Sequence, residues 1–445
     1  MSPLVYRIRH LLSQVLQDVP LGTNLALFHL LWMLCSGRLL ASRGAVIPAL
    51  ADLGLPDDAV RRAWAALAYG RWDCANLLTR WQALVLAEGR WQPHVHGGFQ
   101  PVACDLVGFF RPRLHGCATT HYSSAAGKAL PAVPFGVAVT VGSVGDQRVP
   151  LPRLIVRAHP DEPRETALQH RLLETVAQTL GPTEVLVSDR GFPLAQVLAA
   201  GVSRFVVRVP QNFTARRATR PPDRGRGRRP SYGVRVRPLP RSYRGQILPA
   251  TPPDRVEHWE VAGQPVRAEF WEDLVLPDAL PGAATFTGVV IHDPRFLRPL
   301  VLAGNVALTG AAFQACYRDR WPVEQLPLAA KQVVGAHRQF VFAEESRQRL
   351  PELAFLAGSI LTYVAATAPA VQTGFWDRAA RPTCGRLRRL LGRVPFLALA
   401  STGLPTHFRK KEPVTAHLPK GVCGHRRHQT SCPAAATPPP LPSST

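Results

Sequence analysis

The chain has 445 residues, 46% of them hydrophobic, which is enough for a sizeable buried core divided among two to four domains. Its formal net charge of +23 indicates a polyanionic partner, and nucleic acid and anionic membranes are the usual candidates. The longest apolar run, residues 25–35, is too short to span a bilayer, and the eight Cys form no disulfide framework. These features exclude a membrane-spanning protein and a disulfide-rich secreted one, so we expect an intracellular protein with no membrane partner.

The first segment, residues 1–95, has the apolar periodicity of helices and is predicted to form a helical N-terminal domain. Residues 45–53 and 59–68 are joined by a short turn and have helix-turn-helix proportions, with Asp57 as a plausible N-cap of the second helix. Many helical hairpins share this outline. DNA binding by this pair and plain helical packing therefore both remain open.

From about residue 98 the apolar period changes from that of helices to that of strands. Short apolar runs bounded by Gly and Pro predict strands, and longer periodic stretches between them predict helices. This alternation predicts a mixed α/β sheet, whose first part covers residues 98–213. The predicted strands are 102–110, 133–144, 148–158, 183–188 and 203–209, and the predicted helices are 165–180 and 193–200.

A strongly basic segment follows, since residues 204–244 contain thirteen Arg and a single acid, Asp223. Charge runs on solvated surfaces usually mix signs, so we predict a basic loop that contacts phosphate. Within it we assign DNA binding to three Arg side chains. These are Arg226, Arg228 and Arg229.

Two further strand regions, 255–276 and 285–305, complete the segment 214–305, which is predicted to be the basic loop and a β-rich insertion. Helices are then expected from about residue 310 to 366, so that residues 306–400 complete the α/β core with helices. The last segment, 401–445, is rich in Pro and Arg and is predicted to be a disordered basic tail. Its Cys and His residues have none of the usual zinc-ligand spacings, so no zinc site is predicted there.

The segment from residue 317 to 331 contains most of the candidate catalytic and binding residues. Arg320, Glu324 and Lys331 follow Tyr317 by three, seven and fourteen positions, which puts the four side chains within roughly 60° of one another on a helix. Pro322 would interrupt a regular helix, so we expect the helix to start near it, with Tyr317 and Arg320 on the preceding turn. One face therefore combines an aromatic hydroxyl, two cations and a carboxylate.

The order Tyr-x2-Arg-x3-Glu-x6-Lys resembles, without a gap, the motif of bacterial insertion-sequence transposases of the DDE type, the Tyr-Arg-Glu-Lys group. Asp189 ends an apolar run and is followed by Arg-Gly-aromatic, which resembles the second-Asp segment of that group. Asp105 also ends an apolar run and resembles the first. There the chain departs from the group, since Leu106 stands where a Thr or a second Asp is common.

The resemblance covers about residues 98–370 and implies an α/β fold: a ribonuclease-H-like mixed sheet flanked by helices, with a β-rich insertion and a helical N-terminal domain. It implies a DNA transposase that cleaves and transfers strands at the terminal inverted repeats of an insertion sequence. Asp105, Asp189 and Glu324 would be its catalytic residues and the ligands of two Mg²⁺ (or Mn²⁺) ions.

By the same resemblance, Tyr317, Arg320 and Lys331 would contact the transposon end. The partners would be double-stranded DNA of the transposon ends and of the target, and the enzyme would act as a homodimer in a paired-end complex. We expect it in the bacterial cytoplasm, associated with the nucleoid when bound to DNA.

The physical chemistry of the acids is consistent with that expectation. Asp105 and Asp189 lie in or directly after hydrophobic strands, where an uncompensated charge is costly. Mg²⁺ prefers carboxylate oxygens and would compensate the charge. Arg190, beside Asp189, either pairs with a carboxylate or binds phosphate, and we favour phosphate. Trp259 or Trp271 could stack on an unpaired base, although packing in the core is the more common role of a Trp.

Two other functions remain compatible with the sequence. One is a transposase-derived DNA-binding protein without catalysis, and the other is a metal-dependent nuclease or resolvase on the same fold. Inverted repeats beside the coding region would favour the transposase over both.

Overall fold

The structure, a computed structural model, describes residues 2–396 and 405–408, except for 112, 115, 116, 163, 221–232, 281 and 373. It is an α/β protein in which a large mixed sheet is flanked by helices, as the sequence predicted. The helices are α1 (Pro3–Val15), α2 (Thr23–Cys35), α3 (Arg38–Ala41), α4 (Val46–Ala51), α5 (Asp57–Tyr69), α6 (Cys74–Ala87), α7 (Glu165–Thr179), α8 (Leu194–Ala199), α9 (Gly310–Arg318), α10 (Gln325–Leu328), α11 (Glu344–Thr367) and α12 (Cys384–Gly392).

The strands fall into one large sheet and two small ones. Short 3₁₀ turns and one π-helical turn complete the regular structure, the π turn at Ala329–Val333 and the 3₁₀ turns at Trp321–Glu324, Ala336–Arg338 and Thr406–Phe408. The strands are β1 (Gln92–Pro93), β2 (Gln100–Phe110), β3 (Thr120–Ser123), β4 (Lys128–Thr140), β5 (Gly142–Val144), β6 (Gln147–Arg148), β7 (Leu151–Arg157), β8 (Glu184–Ser188), β9 (Phe205–Arg208), β10 (Ala215–Arg217), β11 (Arg235–Val236), β12 (Arg241–Tyr243), β13 (Gln246–Leu248), β14 (Arg255–Val261), β15 (Gln264–Val275), β16 (Phe286–His292) and β17 (Leu300–Gly304).

The centre of the large sheet has the spatial order β7-β4-β2-β8-β9. The strands β7, β4 and β2 pair antiparallel, whereas β2 pairs parallel with β8 and β8 pairs parallel with β9. The connection from β7 to β8 runs through α7, whose apolar side packs on Gly136 of β4 through Leu172. The adjacent parallel strands β8 and β9 therefore end at the same edge of the sheet, and β8 lies beside the long strand β2.

The β-rich segment continues this sheet instead of forming a sheet of its own. Strand β17 pairs antiparallel with β9, and β16, β15 and β10 follow outward from it. Trp271 of β15 is completely buried, and its indole N–H donates to the carbonyl oxygens of Thr251 and Pro252 at 3.0 Å each. Its role is therefore core packing, and it is not accessible for stacking on a base.

The N-terminal helices and α11 form one hydrophobic core on one face of β2 and β4. The indole N–H of Trp81 on α6 donates to Ser359 Oγ of α11 at 2.9 Å, inside this core. Helix α11 is long and apolar enough to cross a membrane by composition, but most of it is buried in the protein interior. Its apolar surface is thus explained by packing against α2, α5 and α6.

The predicted helical pair near residue 50 is present as α4 and α5. The expectation that Asp57 caps α5 is wrong, because Pro56 is the N-cap residue and no side chain caps the helix. Pro56 has extended backbone angles (φ −65°, ψ 152°), so the helix begins at Asp57 itself. Asp57 and Asp58 instead place negative charge in the first turn, where the helix dipole favours it.

Thr309 caps α9, the helix that leads into the candidate site, because its side chain accepts a hydrogen bond from the backbone N–H of Ala312 at 3.2 Å. Replacing Thr309 with Ala removes this acceptor and is expected to lower the free energy of unfolding by about 1 kcal/mol. Urea denaturation measures the change, with Thr309→Ser as the control that keeps the hydroxyl. Equal stability of both variants would contradict the assigned cap.

Candidate active site

Asp105 and Asp189 lie side by side at the edge of the central sheet. In the parallel pairing of β2 with β8, Ala103 is the partner of Val187. Asp105 lies two residues after Ala103, and Asp189 lies two residues after Val187. Neighbouring strands are about 4.8 Å apart, so the two acids occupy adjacent positions. Because side chains alternate along a strand, Asp105 projects from the same face as Ala103.

Glu324 approaches that face from the helical segment after α9. Val323, next to Glu324, is fully buried in the same core as Ala103, so the 3₁₀ turn Trp321–Glu324 packs directly on β2. Pro322 is tolerated because it occupies the first turn of the new helical segment, where no N–H donor is needed. The helix therefore restarts near Pro322, as predicted, but Tyr317 belongs to α9 itself and not to a separate turn.

Arg320 lies between two of the three acids. Its Nη2 donates to Glu324 Oε1 at 2.6 Å, and its Nη1 is 3.8 Å from Asp189 Oδ2. Burial alone would lower the pKa of Arg320, but the hydrogen bond to Glu324 and the charge of Asp189 outweigh it and raise the pKa. The guanidinium group thus serves as an internal counter-ion for the carboxylates.

Burial and the charges of the other two acids raise the pKa of Asp105. Burial, and after it the negative charge of Asp189, raises the pKa of Asp105 from 3.8 to about 6. Glu324 also raises this pKa, whereas Arg320 and a hydrogen bond from the backbone N–H of Leu106 lower it. Asp105 therefore interacts electrostatically with both other acids, so the structure brings the three predicted residues into one site.

Lys331 reaches the same site from the π-helical turn. Burial lowers the pKa of Lys331 to about 8, against the opposing effect of Asp105. Its Nζ lies 5.4 Å from the centre of the Phe109 ring, a cation–π distance. The fourth member of the motif, Tyr317, lines a cavity of about 480 Å³ together with Arg320. Arg320 thus links the cavity beside Tyr317 to Glu324, and Lys331 lies near Asp105.

Arginine side chains surround this region. The cavity beside Tyr317 is also lined by Arg148, Arg208, Arg298 and Arg318. A second cavity, of about 270 Å³, joins Arg208 and Arg298 to Arg190. The guanidinium groups on these surfaces can form bidentate hydrogen bonds with phosphate.

Arg190 is exposed and forms no ion pair with a carboxylate among the residues that the structure describes. Of the two roles considered for it, pairing with an acid is therefore not observed. Phosphate binding by Arg190 remains a prediction. The three DNA contacts predicted in the basic loop lie outside the described residues, as does nearly all of the predicted tail. They are Arg226, Arg228 and Arg229.

The three acids fit a hard divalent cation in their chemistry, since all their donors are carboxylate oxygens. Burial and, after it, the charge of Asp189 raise the pKa of Asp105, and Arg320 offsets these effects only in part. Their oxygens are not as close together as those of a formed metal site, however. Among the described residues, the one group of three ligand atoms all within 4.8 Å of one another is His94, His96 and Asp319.

This second group of ligands was not predicted from the sequence. Asp319 Oδ2 lies 2.7 Å from His94 Nδ1 and 2.7 Å from His96 Nε2. Burial would raise the pKa of Asp319, but the hydrogen bonds from His96 and His94 outweigh it and lower the pKa. The sequence signal was a His-x-His pair before two Gly, but nothing in the spacing linked it to an Asp more than two hundred residues away.

The chain was also compared with known proteins. No family model matches it, and no curated protein is significantly similar to it. The likeness to DDE transposases therefore depends on the residues described above.

Proposed function

We propose that the protein is a DDE-type DNA transposase that cleaves and joins strands at the ends of an insertion sequence. The observation that carries the proposal is that Asp105, Asp189 and Glu324, from distant parts of the chain, interact electrostatically, with the half-buried Arg320 contacting Asp189 and Glu324. Solvated surface acids have no need of such an arrangement. A site for divalent cations and a phosphate requires it.

The strand order supports the same proposal. The order β7-β4-β2-β8-β9, with three antiparallel strands followed by two parallel ones and a helix before β8, is what we would expect of a ribonuclease-H-like fold. Asp105 on β2, the first of these five strands along the chain, and Asp189 directly after β8, the fourth, would then correspond to the two Asp of the resembling enzymes. The β-rich segment is inserted between Asp189 and Glu324.

Asp105, Asp189 and Glu324 would hold Mg²⁺, and two such ions would activate the attacking oxygen and stabilise the leaving oxygen of the scissile phosphate. The chain's own cations would do the remaining work. Arg320 can exchange its contact with Glu324 for a phosphate oxygen, because its guanidinium group has further donors. Lys331, close to Asp105, supplies positive charge that offsets the charge developing in the transition state.

The DNA would lie along the arginine-lined cavities beside the acids. Arg190, Arg208 and Arg298 face one cavity, and Arg318 with Tyr317 faces the next. Neutralising phosphates with such residues makes affinity fall steeply with salt concentration. The net charge of +23 favours the same partner.

The test uses the DNA on either side of the coding region, placed on a supercoiled plasmid. We expect the full-length protein to nick this DNA at the boundaries of an inverted repeat when Mg²⁺ or Mn²⁺ is present, and not in EDTA. A plasmid with the repeats scrambled is the control. No cleavage of either plasmid, together with specific binding to the repeats, would contradict the proposed catalysis.

One observation favours the alternative of a DNA-binding protein without catalysis. Arg320 already pairs with Glu324 and approaches Asp189, so the acids have a protein-supplied counter-ion. If that pairing were permanent, Mg²⁺ would not stabilise the fold. A thermal unfolding midpoint that does not change with Mg²⁺, combined with binding to the repeats, is the result that selects this alternative.

The lowered pKa of Lys331 predicts a pH dependence of binding to the repeats. Its charge is present below about pH 8 and is lost above it. Affinity for the repeats should therefore fall by roughly fivefold to tenfold between about pH 7 and pH 9. Lys331→Arg, which stays charged, should bind with little change over this range, and fluorescence anisotropy measures both. An equal fall for the two proteins would contradict a contact by Lys331.

A further inference from the structure

We propose a second metal site, for a zinc-like divalent cation, at His94, His96 and Asp319. The three side chains come from two distant segments, and one ligand atom of each lies within 4.8 Å of the other two. Two imidazole nitrogens and one carboxylate oxygen suit Zn²⁺, whereas Mg²⁺ prefers oxygen ligands alone. The site is thus chemically distinct from the three acids of the proposed active site.

The distances are close to those of a bound ion. Ligand atoms around a tetrahedral Zn²⁺ are about 3.3 Å apart, since each lies about 2.0 Å from the metal. Asp319 Oδ2 is 2.7 Å from each imidazole nitrogen. These two separations would each have to open by about 0.6 Å, and the two imidazole nitrogens lie within 4.8 Å of each other. Each imidazole would keep its proton but carry it on the ring nitrogen that does not bind the ion, so both rings change tautomer.

The backbone around the two His holds them in place. The N–H of His94 donates to the carbonyl of Val141 at 3.0 Å, and the N–H of His96 donates to the carbonyl of Phe99 at 2.8 Å. Gly97 and Gly98 form the turn between His96 and Phe99. Their φ values are +54° and +86°, which glycine adopts at little cost. A preformed pair of ligands loses little conformational freedom when the ion binds.

Ser143 supplies the supporting contact that a metal-binding His requires. Its Oγ lies 2.7 Å from His94 Nε2, the nitrogen that faces away from Asp319. When Nδ1 binds a metal, Nε2 carries the proton and can donate it to this hydroxyl, which fixes the tautomer of the ligand. The same contact would be of no particular use to a surface His.

The position opposite the three ligands is open to solvent. The two imidazoles and Asp319 border a cavity of about 410 Å³, in which Arg148 and Arg318 are also found. A water molecule can complete the coordination there. Arg148 is 3.5 Å from Asp319 Oδ1 and must turn toward solvent as the cation enters. Its side chain is 41% exposed, so this movement is not hindered by packing.

The site joins the segment containing β1 to the end of α9. Asp319 directly precedes Arg320, the counter-ion of the proposed active site. A bound zinc ion would therefore fix the point from which Arg320 and Glu324 project. The inference does not depend on the proposed function, because ligand geometry alone carries it.

The test is a titration of the full-length protein with Zn²⁺ by isothermal calorimetry, in excess Mg²⁺ to saturate the three acids. We expect one Zn²⁺ per chain and at least a hundredfold loss of affinity in His94→Ala/His96→Ala. His170→Ala, at an exposed His on α7, is the control and should bind as the wild type does. Equal zinc binding by the double variant and the wild type would overturn the proposal.

The tail contains Cys423 and Cys432, so a second measurement separates it from this site. The variant Cys423→Ser/Cys432→Ser should keep the bound Zn²⁺. In the wild type, Co²⁺ should give visible bands without the near-ultraviolet charge-transfer band of thiolate ligands. A thiolate band, or loss of zinc in the Cys variant, would also overturn the proposal, and neither result depends on the folding of a His variant.

Discussion

Replacing Glu324 with Gln is expected to lower the rate of Mg²⁺-dependent cleavage of the repeats by roughly a hundredfold to a thousandfold, equivalent to about 3–4 kcal/mol. Gln has the size of Glu and keeps an oxygen that accepts from Arg320, so the fold should be retained. It lacks the charge that a divalent cation requires of its ligand. The rate is measured on the flanking DNA with wild type and variant at equal concentration.

The control is Glu174→Gln on α7, which makes the same chemical change at an exposed position distant in sequence. Its cleavage rate should match that of the wild type. Binding of Glu324→Gln to the repeats should be as tight as that of the wild type or slightly tighter, because one negative charge near the phosphate is removed. Cleavage at the wild-type rate by Glu324→Gln would show that the site is wrongly assigned.

Much of the fold could be predicted from local patterns. The apolar run before Asp189 and the periodic stretch before it correspond to β8 and α7 within one or two residues. Gly, Pro and β-branched residues mark these boundaries directly. The order of the strands was not available from such patterns, since pairing joins residues far apart in sequence. That β17 pairs with β9, and so extends the central sheet, emerged only from the structure.

The candidate site was predictable to the extent that it is contiguous. The spacing from Tyr317 to Lys331 predicts four side chains on one face of a helix, whereas the segment is a kinked run of α, 3₁₀ and π turns that no simple helix describes. Within it the contact of Arg320 with Glu324 is observed. The compensation of Asp189 by Arg320 depends on long-range packing. So does the Asp319 contact with His94, which joins residues 225 positions apart.

A similar limit applies to the ion pair that connects the sheet to α11. Arg157 binds Glu352 through two hydrogen bonds of 2.6 and 2.7 Å, and the Glu352 side chain is only 3% exposed. In the sequence Glu352 is simply a polar residue in an apolar helix. Its burial becomes intelligible only with its partner on β7, because a buried charge without one is costly.

Asp105→Asn is expected to have opposite effects on stability and on activity. The pKa of Asp105 is raised in the folded chain from 3.8 to about 6, so folding is penalised whenever the carboxyl group is ionised. The neutral amide removes this penalty. In EDTA at about pH 7.5 the variant should therefore be more stable than the wild type by about 1–3 kcal/mol. Its cleavage rate should fall by roughly a hundredfold or more, since a cation ligand is lost.

The pH dependence follows from the direction of the shift. A raised carboxyl pKa means that the folded state binds the proton more tightly than the unfolded state, so this group destabilises the wild type as pH rises from about 4 to 6. The difference between variant and wild type should therefore shrink toward zero near pH 4, and Asp161→Asn, at an exposed acid, should show none at any pH.

Adding Mg²⁺ should stabilise the wild type more than Asp105→Asn, because binding to the folded state alone shifts the equilibrium. Urea denaturation with and without Mg²⁺ measures all of these differences. If Asp105→Asn were destabilised in EDTA at neutral pH and still gained as much from Mg²⁺ as the wild type, Asp105 would be neither a strained acid nor a ligand, and the proposed cation site would lose its central member.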